Sequence, residues 1–222
     1  MKLIVVAASG LAREVLATER ELRRSTHIRV VDDDPAMWGT VFAGHPVVGG
    51  LNHLSAYDDH HVLVCAGQGR VRRDIVRRLA ALGVTRERYA TVIHPRVEIP
   101  PGCSIGVGSI LLESVVLTAR VRIGDHVAVM PHVTLTHDDT LDDYATVCAG
   151  VSLGGGVRIG TGAYLGMNSC VREGLTVGRE AVLGMGAALV DHLPAGQTWV
   201  GNPARPMLRT VTANLPRAVG GR

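Results

Sequence analysis

Aliphatic residues recur at every sixth position through the second half of this chain. From Ile99 to Leu189 the step of six lands on Ile, Leu or Val sixteen times without an exception. The next residue is glycine at Gly106, Gly124, Gly154, Gly160, Gly166, Gly178 and Gly184, and the residue two before is usually small or apolar. An α-helix needs apolar spacings of three and four, and an antiparallel sheet needs alternation broken by hairpin turns. A strict six fits neither. It fits short strands joined by tight corners that glycine permits, coiled into a parallel β-helix with one aliphatic side chain per repeat in a narrow central stack. Successive coils then lie about 4.8 Å apart, each pairing its backbone with the next. Repeat geometry by itself is also compatible with an inert spacer, so function has to come from sites.

The first ninety residues follow a different pattern. An apolar run predicts a strand over 2–8, Ser9-Gly10 a turn, and the spacing of Leu11, Val15 and Leu22 a helix over 11–24. Further strands are predicted over 28–31, ending in Asp32-Asp33-Asp34-Pro35, and over 61–65, ending in Ala66-Gly67, before an Arg-rich helix over 71–82. Alternating strands and helices imply a small parallel sheet of Rossmann-like α/β type, which binds ligands beyond the carboxyl ends of its strands. Ser9, Gly10, Asp32, Asp33 and Gly67 fall there. Backbone N–H groups opening the first helix suit a phosphate, and an acid after the second strand suits a ribose or base. The same residues also read as a plain tight turn and, for the Asp triplet, as a solvated turn set by Pro35. His94-Pro95 marks the join, because the residue before proline is pushed out of helical conformation. The division is thus 1–92, 93–207, and a tail over 208–222 that carries no motif and is expected to be partly disordered.

Composition narrows the function classes. The hydrophobic fraction is 46%, yet no run of about 18 apolar residues could span a bilayer. The apolar start after Lys2 is too short for a signal peptide and leads into a charged helix. A soluble chain without membrane insertion is expected. Four cysteines without CxxC spacing read as small core residues in a reducing cytoplasm. The net charge is +3, but basic residues are dispersed among acids and aromatics are only 3% of the chain, so no nucleic-acid partner is expected.

The order of AASGLAREVL from Ala7, VVDDDP from Val30, CAGQGRVR from Cys65, VIHP from Val92, THDDTLDDY from Thr136, the hexapeptides and VGNPARPM from Val200 carries a family resemblance. It resembles the sugar acyltransferases that include sialic acid O-acetyltransferase and the bacillosamine-pathway N-acetyltransferase. The resemblance implies a left-handed β-helix and a homotrimer, with acetyl-CoA as co-substrate in a cleft between neighbouring β-helices. The acceptor, a nucleotide-linked sugar, would be held between the N-terminal domain of one chain and the β-helix of the next. It implies His137 as general base with Asp138 beside it. Ala149, Gly150, Gly166 and Met167 would line the pantetheine channel, and Gly201, Asn202, Pro203 and Ala204 the turn near the adenine. Two departures stand out: Ala7 and Leu11 occupy positions where the family commonly has Gly and His, and Ala145-Thr146 stand where it often has a second His.

Acyl transfer from a thioester needs the nucleophile stripped of a proton as it attacks, and histidine is the usual base. Lying two residues after the inward Leu135, His137 is expected near a corner and outside the aliphatic stack, with Asp138 or Asp139 holding its tautomer. Cys148 as an acyl carrier has no neighbouring base in sequence. His132 and His137 form HxxxxH, as in γ-class carbonic anhydrases, but Arg96 stands where a third His is needed, so no metal is expected. The remaining alternatives are an acyltransferase with a non-nucleotide acceptor and a binding protein that kept the β-helix.

Overall fold

In the computed structural model, which describes residues 1–207, a small α/β part leads into a parallel β-solenoid of about six coils. The tail over 208–222 lies outside the described residues. Strands β1 (Lys2–Val6), β2 (His27–Val31) and β5 (His61–Val64) form a parallel sheet in the order β2-β1-β5. A short hairpin, β3 (Val41–Phe42) with β4 (His45–Pro46), and a 3-10 turn over Leu51–Tyr57 fill the connection to β5. Helix α1 (Gly10–Leu22) starts where Ser9 accepts from the Ala12 N–H and ends where Arg23 adopts a left-handed conformation. Helix α2 (Gly69–Ala81) starts two residues earlier than its apolar spacing predicts. The helices take opposite sides of the sheet. Leu11, Ala12, Val15 and Leu16 of α1 pack with Leu3, Val5 and the solenoid residues Ile110, Leu112 and Ala128, whereas Leu79 of α2 packs with Ile4, Val6 and Val62.

The solenoid has three faces, each a parallel ladder with an offset of 18 residues until the last step of the second face, where Val182 pairs with Thr198 at an offset of 16. The first holds Ser104–Ile105, Arg122–Ile123, Thr140–Leu141, Arg158–Ile159 and Thr176–Val177. The second runs from Val92–Ile93 through Ile110–Leu111, Ala128–Val129, Thr146–Val147, Tyr164–Leu165 and Val182–Leu183 to Thr198–Val200. The third holds Val116–Leu117, Thr134–Leu135, Ser152–Leu153, Cys170–Val171 and Ala188–Leu189. Three hexapeptides therefore make one coil, and each repeat turns one corner. From Leu111 to Leu189 the period-six residues are all buried, each contributing about 1.5–3 kcal/mol of transfer energy. The first two differ: Ile99 is 39% exposed and Ile105 half-buried, because no coil precedes them to cover that end.

The corners are not made by the glycines that follow the aliphatic positions. Left-handed backbone falls two residues later, at Gly102, Gly108, Ser114, Arg120, His126, His132, Asp138, Tyr144 and on in steps of six to Gly186. The glycines directly after the aliphatic residue answer a different need. A Cβ on Gly160 would sit 2.7 Å from the Arg179 nitrogen of the next coil, so glycine lets adjacent backbones close up. Of the cysteines, Cys65 and Cys148 are buried as expected, but Cys170 is exposed because it points outward from the third face. No helix among the described residues is long and apolar enough to cross a membrane.

Candidate active site

The side chains that sequence singles out occupy two different edges of the solenoid and the α/β part. His137 follows Leu135 at the edge between the third and first faces. Its Nδ1 lies 2.8 Å from Oδ2 of Asp138, which occupies the left-handed corner position with φ of 65°. Arg120, at the same corner one coil earlier, donates through Nε to Oδ1 at 2.6 Å and through Nη2 to Oδ2 at 3.0 Å. Hydrogen bonds from Arg120 and then His137 hold the Asp138 carboxyl well below the usual carboxylate range. An ionised Asp138 accepts the Nδ1–H and leaves Nε2 of His137 with its lone pair free.

Asp139, the other acid considered for His137, does something else. It occupies the inward position two before Leu141 and is fully buried. Its Oδ1 accepts from the Val157 N–H and its Oδ2 from the Thr136 N–H, both at 2.8 Å. Burial pushes its pKa up to about 6 against those two bonds. Asp139 thus ties together the backbone on either side of the His137 corner and makes no hydrogen bond to the imidazole.

The second group lies on the edge between the second and third faces. Ala149 and Gly150 stand one coil before Gly166 and Met167, with the Asn168 N–H donating to the Ala149 carbonyl at 2.9 Å. Met185 follows one coil later, its N–H 2.5 Å from where a Cβ on Gly166 would lie. Both Met167 and Met185 are exposed, which leaves an apolar strip along this edge. The turn Gly201-Asn202-Pro203-Ala204, with a cis bond before Pro203, closes the strip: the Ala188 N–H donates to the Gly201 carbonyl and the Ala204 N–H to the Ala188 carbonyl.

The third group is the α/β part. Ser9, Gly10, Asp32, Asp33 and Gly67 do gather at the carboxyl ends of β1, β2 and β5, but most of their side-chain capacity is spent inside the protein. Ser9 Oγ donates to the Cys65 carbonyl at 2.5 Å while capping α1. The Asp32 carboxylate accepts from the N–H groups of Ala8 at 2.7 Å and Asp34 at 2.9 Å. Asp33 pairs with Arg78 on the surface, and that hydrogen bond lowers its pKa. Ala7 adopts φ of 77°, a conformation that favours glycine.

Gly67 borders a cleft of about 640 Å³ between the start of α2 and the second face, lined also by Gln68, Arg70, Met130, Tyr164 and Glu180. This cleft is held by a residue that sequence reasoning missed. Arg72 is fully buried, and no carboxylate is among its hydrogen-bond partners. Its Nε donates to the His126 carbonyl, Nη1 to those of Ala66 and Gly67, and Nη2 to those of Tyr144 and Ala145 and to Thr146 Oγ1, all within 3.0 Å. Burial lowers its pKa to about 10. Thr146, which departs from the family at this position, in turn donates to the Gly67 carbonyl at 3.0 Å. A Cβ on Gly69 would sit 1.9 Å from the Tyr144 carbonyl oxygen, so only glycine lets α2 start against the coil. The clue was available: Arg72 precedes Ile75 and Leu79 by three and seven residues, on the inward stripe of α2.

His132 and His137 flank the strand Thr134–Leu135 at opposite corners, so the HxxxxH spacing does not bring them together. Among the described residues no three His, Cys, Asp or Glu side chains form a set that could hold a metal ion.

No family model matches the chain. Among curated proteins it is 33% identical over 129 residues to GDP-perosamine N-acetyltransferase of Escherichia coli O157:H7, a match covering 55% of this chain and 58% of that protein. The chain thus spans little more than half the length of this relative. Among solved structures, the acetyltransferase domain of PglB from Neisseria gonorrhoeae FA1090 in complex with acetyl coenzyme A is 33% identical. That likeness covers 93% of this chain and 98% of the other, with a TM-score of 0.84. A histidine-to-asparagine variant of perosamine N-acetyltransferase from Caulobacter crescentus, in complex with CoA and GDP-perosamine, is 26% identical. It covers 93% and 97% of the two chains with a TM-score of 0.85. The chain belongs to the hexapeptide-repeat family of sugar N-acetyltransferases.

Proposed function

We propose that this protein transfers an acetyl group from acetyl-CoA to an amino group of a nucleotide-linked sugar, with His137 as general base. The observation that carries the reading is the His137–Asp138 pair: an exposed imidazole whose Nδ1 is engaged by an ionised carboxylate, so that Nε2 is free to take a proton. The relatives supply the substrate classes, since their structures hold acetyl coenzyme A, CoA and GDP-perosamine. In this mechanism Nε2 of His137 removes a proton from the acceptor amine as its nitrogen bonds the acetyl carbon. The C–S bond then breaks, and the thiolate leaves and takes up the proton that the His137 imidazolium gives back. The imidazolium formed at His137 is stabilised by Asp138.

The α/β part, residues 1–92, is read as a reduced Rossmann-like unit that holds the nucleotide, and 93–207 as a left-handed β-helix. The acceptor cleft is the one beside Gly67, where the N–H groups opening α2 and the Arg70 guanidinium suit a diphosphate. Acetyl-CoA would lie along the edge of Ala149, Gly150, Gly166 and Met167, whose apolar strip suits pantetheine, with the Gly201–Ala204 turn at the adenine end. Those three stations occupy different parts of one chain, which supports a homotrimer in which the base of one copy faces the donor and acceptor stations of another. The test is thiol release from acetyl-CoA against a panel of nucleotide amino sugars and free amines, comparing the native protein with His137→Ala. Turnover that disappears in the variant supports the reading. Turnover that persists removes His137 as the base, and absence of acetyl-CoA binding overturns the whole assignment.

A further inference from the structure

We infer that Arg120 is a positioning residue for this reaction, acting on His137 through Asp138, and that Gly155 supplies the seat for the imidazole. The inference rests on the reading of His137 as the base. Arg120 and Asp138 are the same corner position of consecutive coils, 18 residues apart, both with left-handed backbone at φ of 53° and 65°. That column continues as Gly102 below and Gly156 above, so the two side chains share an edge where neither neighbour carries one. The guanidinium grips both carboxylate oxygens, at 2.6 and 3.0 Å, and Oδ2 is the oxygen that also takes His137 Nδ1 at 2.8 Å.

A carboxylate on a short side chain at a solvent-facing corner has several rotamers open to it. The two-point contact with a planar fork selects one of them and orients the remaining lone pair of Oδ2 toward the imidazole. Fixing the carboxylate fixes the tautomer, and the tautomer decides whether Nε2 can accept a proton. Arg120 also keeps Asp138 ionised, so that it never donates to Nδ1 in place of accepting from it.

The ring itself rests over the next coil. A Cβ on Gly155 would lie 2.3 Å from Nε2 of His137 and 2.4 Å from its Cε1, while the Gly156 N–H donates to the His137 carbonyl at 2.8 Å. Any side chain at 155 therefore has to push the imidazole off this position. Gly155 has no left-handed backbone to explain its lack of a side chain. The charged groups around the pair are few. Arg120 lies on the coil below, the buried Asp139 carboxyl on the same coil, and the coil above presents Gly155 and Gly156, with Glu173 one coil further on.

The experiment measures kcat and KM for Arg120→Met, Arg120→Lys, Gly155→Ala, Asp138→Asn and His137→Ala as full-length proteins, with thermal unfolding of each. Arg120→Met is expected to lower kcat by about 10- to 100-fold, a part of the 10²–10⁴ that a positioned general base contributes, with little change in KM for acetyl-CoA. Arg120→Lys keeps the charge without the fork and should recover only part of kcat. Gly155→Ala should lower kcat without moving the unfolding temperature by more than a few degrees. Inactive His137→Ala beside an Arg120→Met of native kcat would overturn the inference and leave the base assignment intact. An active His137→Ala would overturn the base assignment, and this inference with it.

Discussion

Replacing His126 by Asn removes the titration of one buried imidazole, and the structure gives the size and sign of what should follow. His126 sits beneath the α/β part at the edge between the first and second faces, stacked on Tyr144 with ring centroids 5.3 Å apart and edge-on to Tyr89 at 4.6 Å. Its Nδ1 is buried with no hydrogen-bond partner, as is the Tyr89 hydroxyl. Burial first, and the Arg72 guanidinium second, lower its pKa from 6.5 to about 4. Between those values the unfolded chain binds a proton that the folded one refuses. The stability that His126 contributes is therefore present above about pH 6.5 and lost as pH falls to about 4, and at 1.36 kcal/mol per pH unit it amounts to about 3 kcal/mol. Asp139 works the other way. Its carboxyl, raised from 3.8 to about 6, is protonated in the folded chain first, so its contribution is present below about pH 4 and lost as pH rises through 6. The two slopes oppose each other over the same window, and the native protein should change little in stability there on their account.

His126→Asn, chosen because Asn tolerates the left-handed backbone of φ 54°, should expose the Asp139 slope: relative to native, its stability rises on going from about pH 6.5 to about pH 4. Urea unfolding at fixed protein concentration measures the difference, and groups common to both proteins cancel. A native-minus-variant curve that is flat across this range would refute the claim that His126 stays neutral where the unfolded chain is protonated.

Two further outcomes follow from the same contacts. Arg72→Met leaves the carbonyls of Ala66, His126 and Tyr144 without their donor, so the α/β part should lose about 3–5 kcal/mol and unfold ahead of the solenoid. Calorimetry should then show two transitions; one undivided transition at the native temperature would count against Arg72 as the fastening. Ala7→Gly relieves a non-glycine residue at φ of 77° and should stabilise the protein by about 1 kcal/mol, read as a rise in the urea midpoint.

Much of the solenoid was open to reading because its period is strict. Once six residues make a side and three sides a coil, the offset of 18 in the ladders up to Leu189 follows, and so does the inward direction of Leu111 to Leu189. The same register could have identified Asp139 as buried, since it is the only acid two before a period-six residue, and could have placed Arg120 under Asp138. What the repeat did not mark is which residue bends. Gly124 and Gly160 stand out as glycines but serve backbone proximity, whereas several left-handed positions are occupied by Arg120, Tyr144 and Glu180, whose side chains carry no turn signature. The α/β part was harder for the opposite reason. Its elements are short, and the contacts of Ser9 and Asp32 are local bonds between loops that no periodicity encodes. Arg72 was hidden among the five arginines of α2, distinguished only by its stripe.

The separation of His137 from the apolar strip of Met167 and Met185 follows from the repeat itself. Each hexapeptide turns one corner, so two residues share an edge only when they are close to a multiple of 18 apart in sequence. His137 and Arg120, 17 apart, meet that condition; His137 and Ala149, 12 apart, do not, and they stand on different edges. A straight prism cannot fold one edge onto another, so a reaction needing both groups at one point has two routes. It can bring in the appended α/β part, or it can set the edge of one prism against the edge of a second. The α/β part is fastened by Arg72 and Gly69 to the second face and to the edge that carries His126 and Tyr144, and His137 lies on neither. Under the proposed function the second route is the one left open, and a second copy of the chain would then complete the chemistry at the Arg120–Asp138–His137 edge.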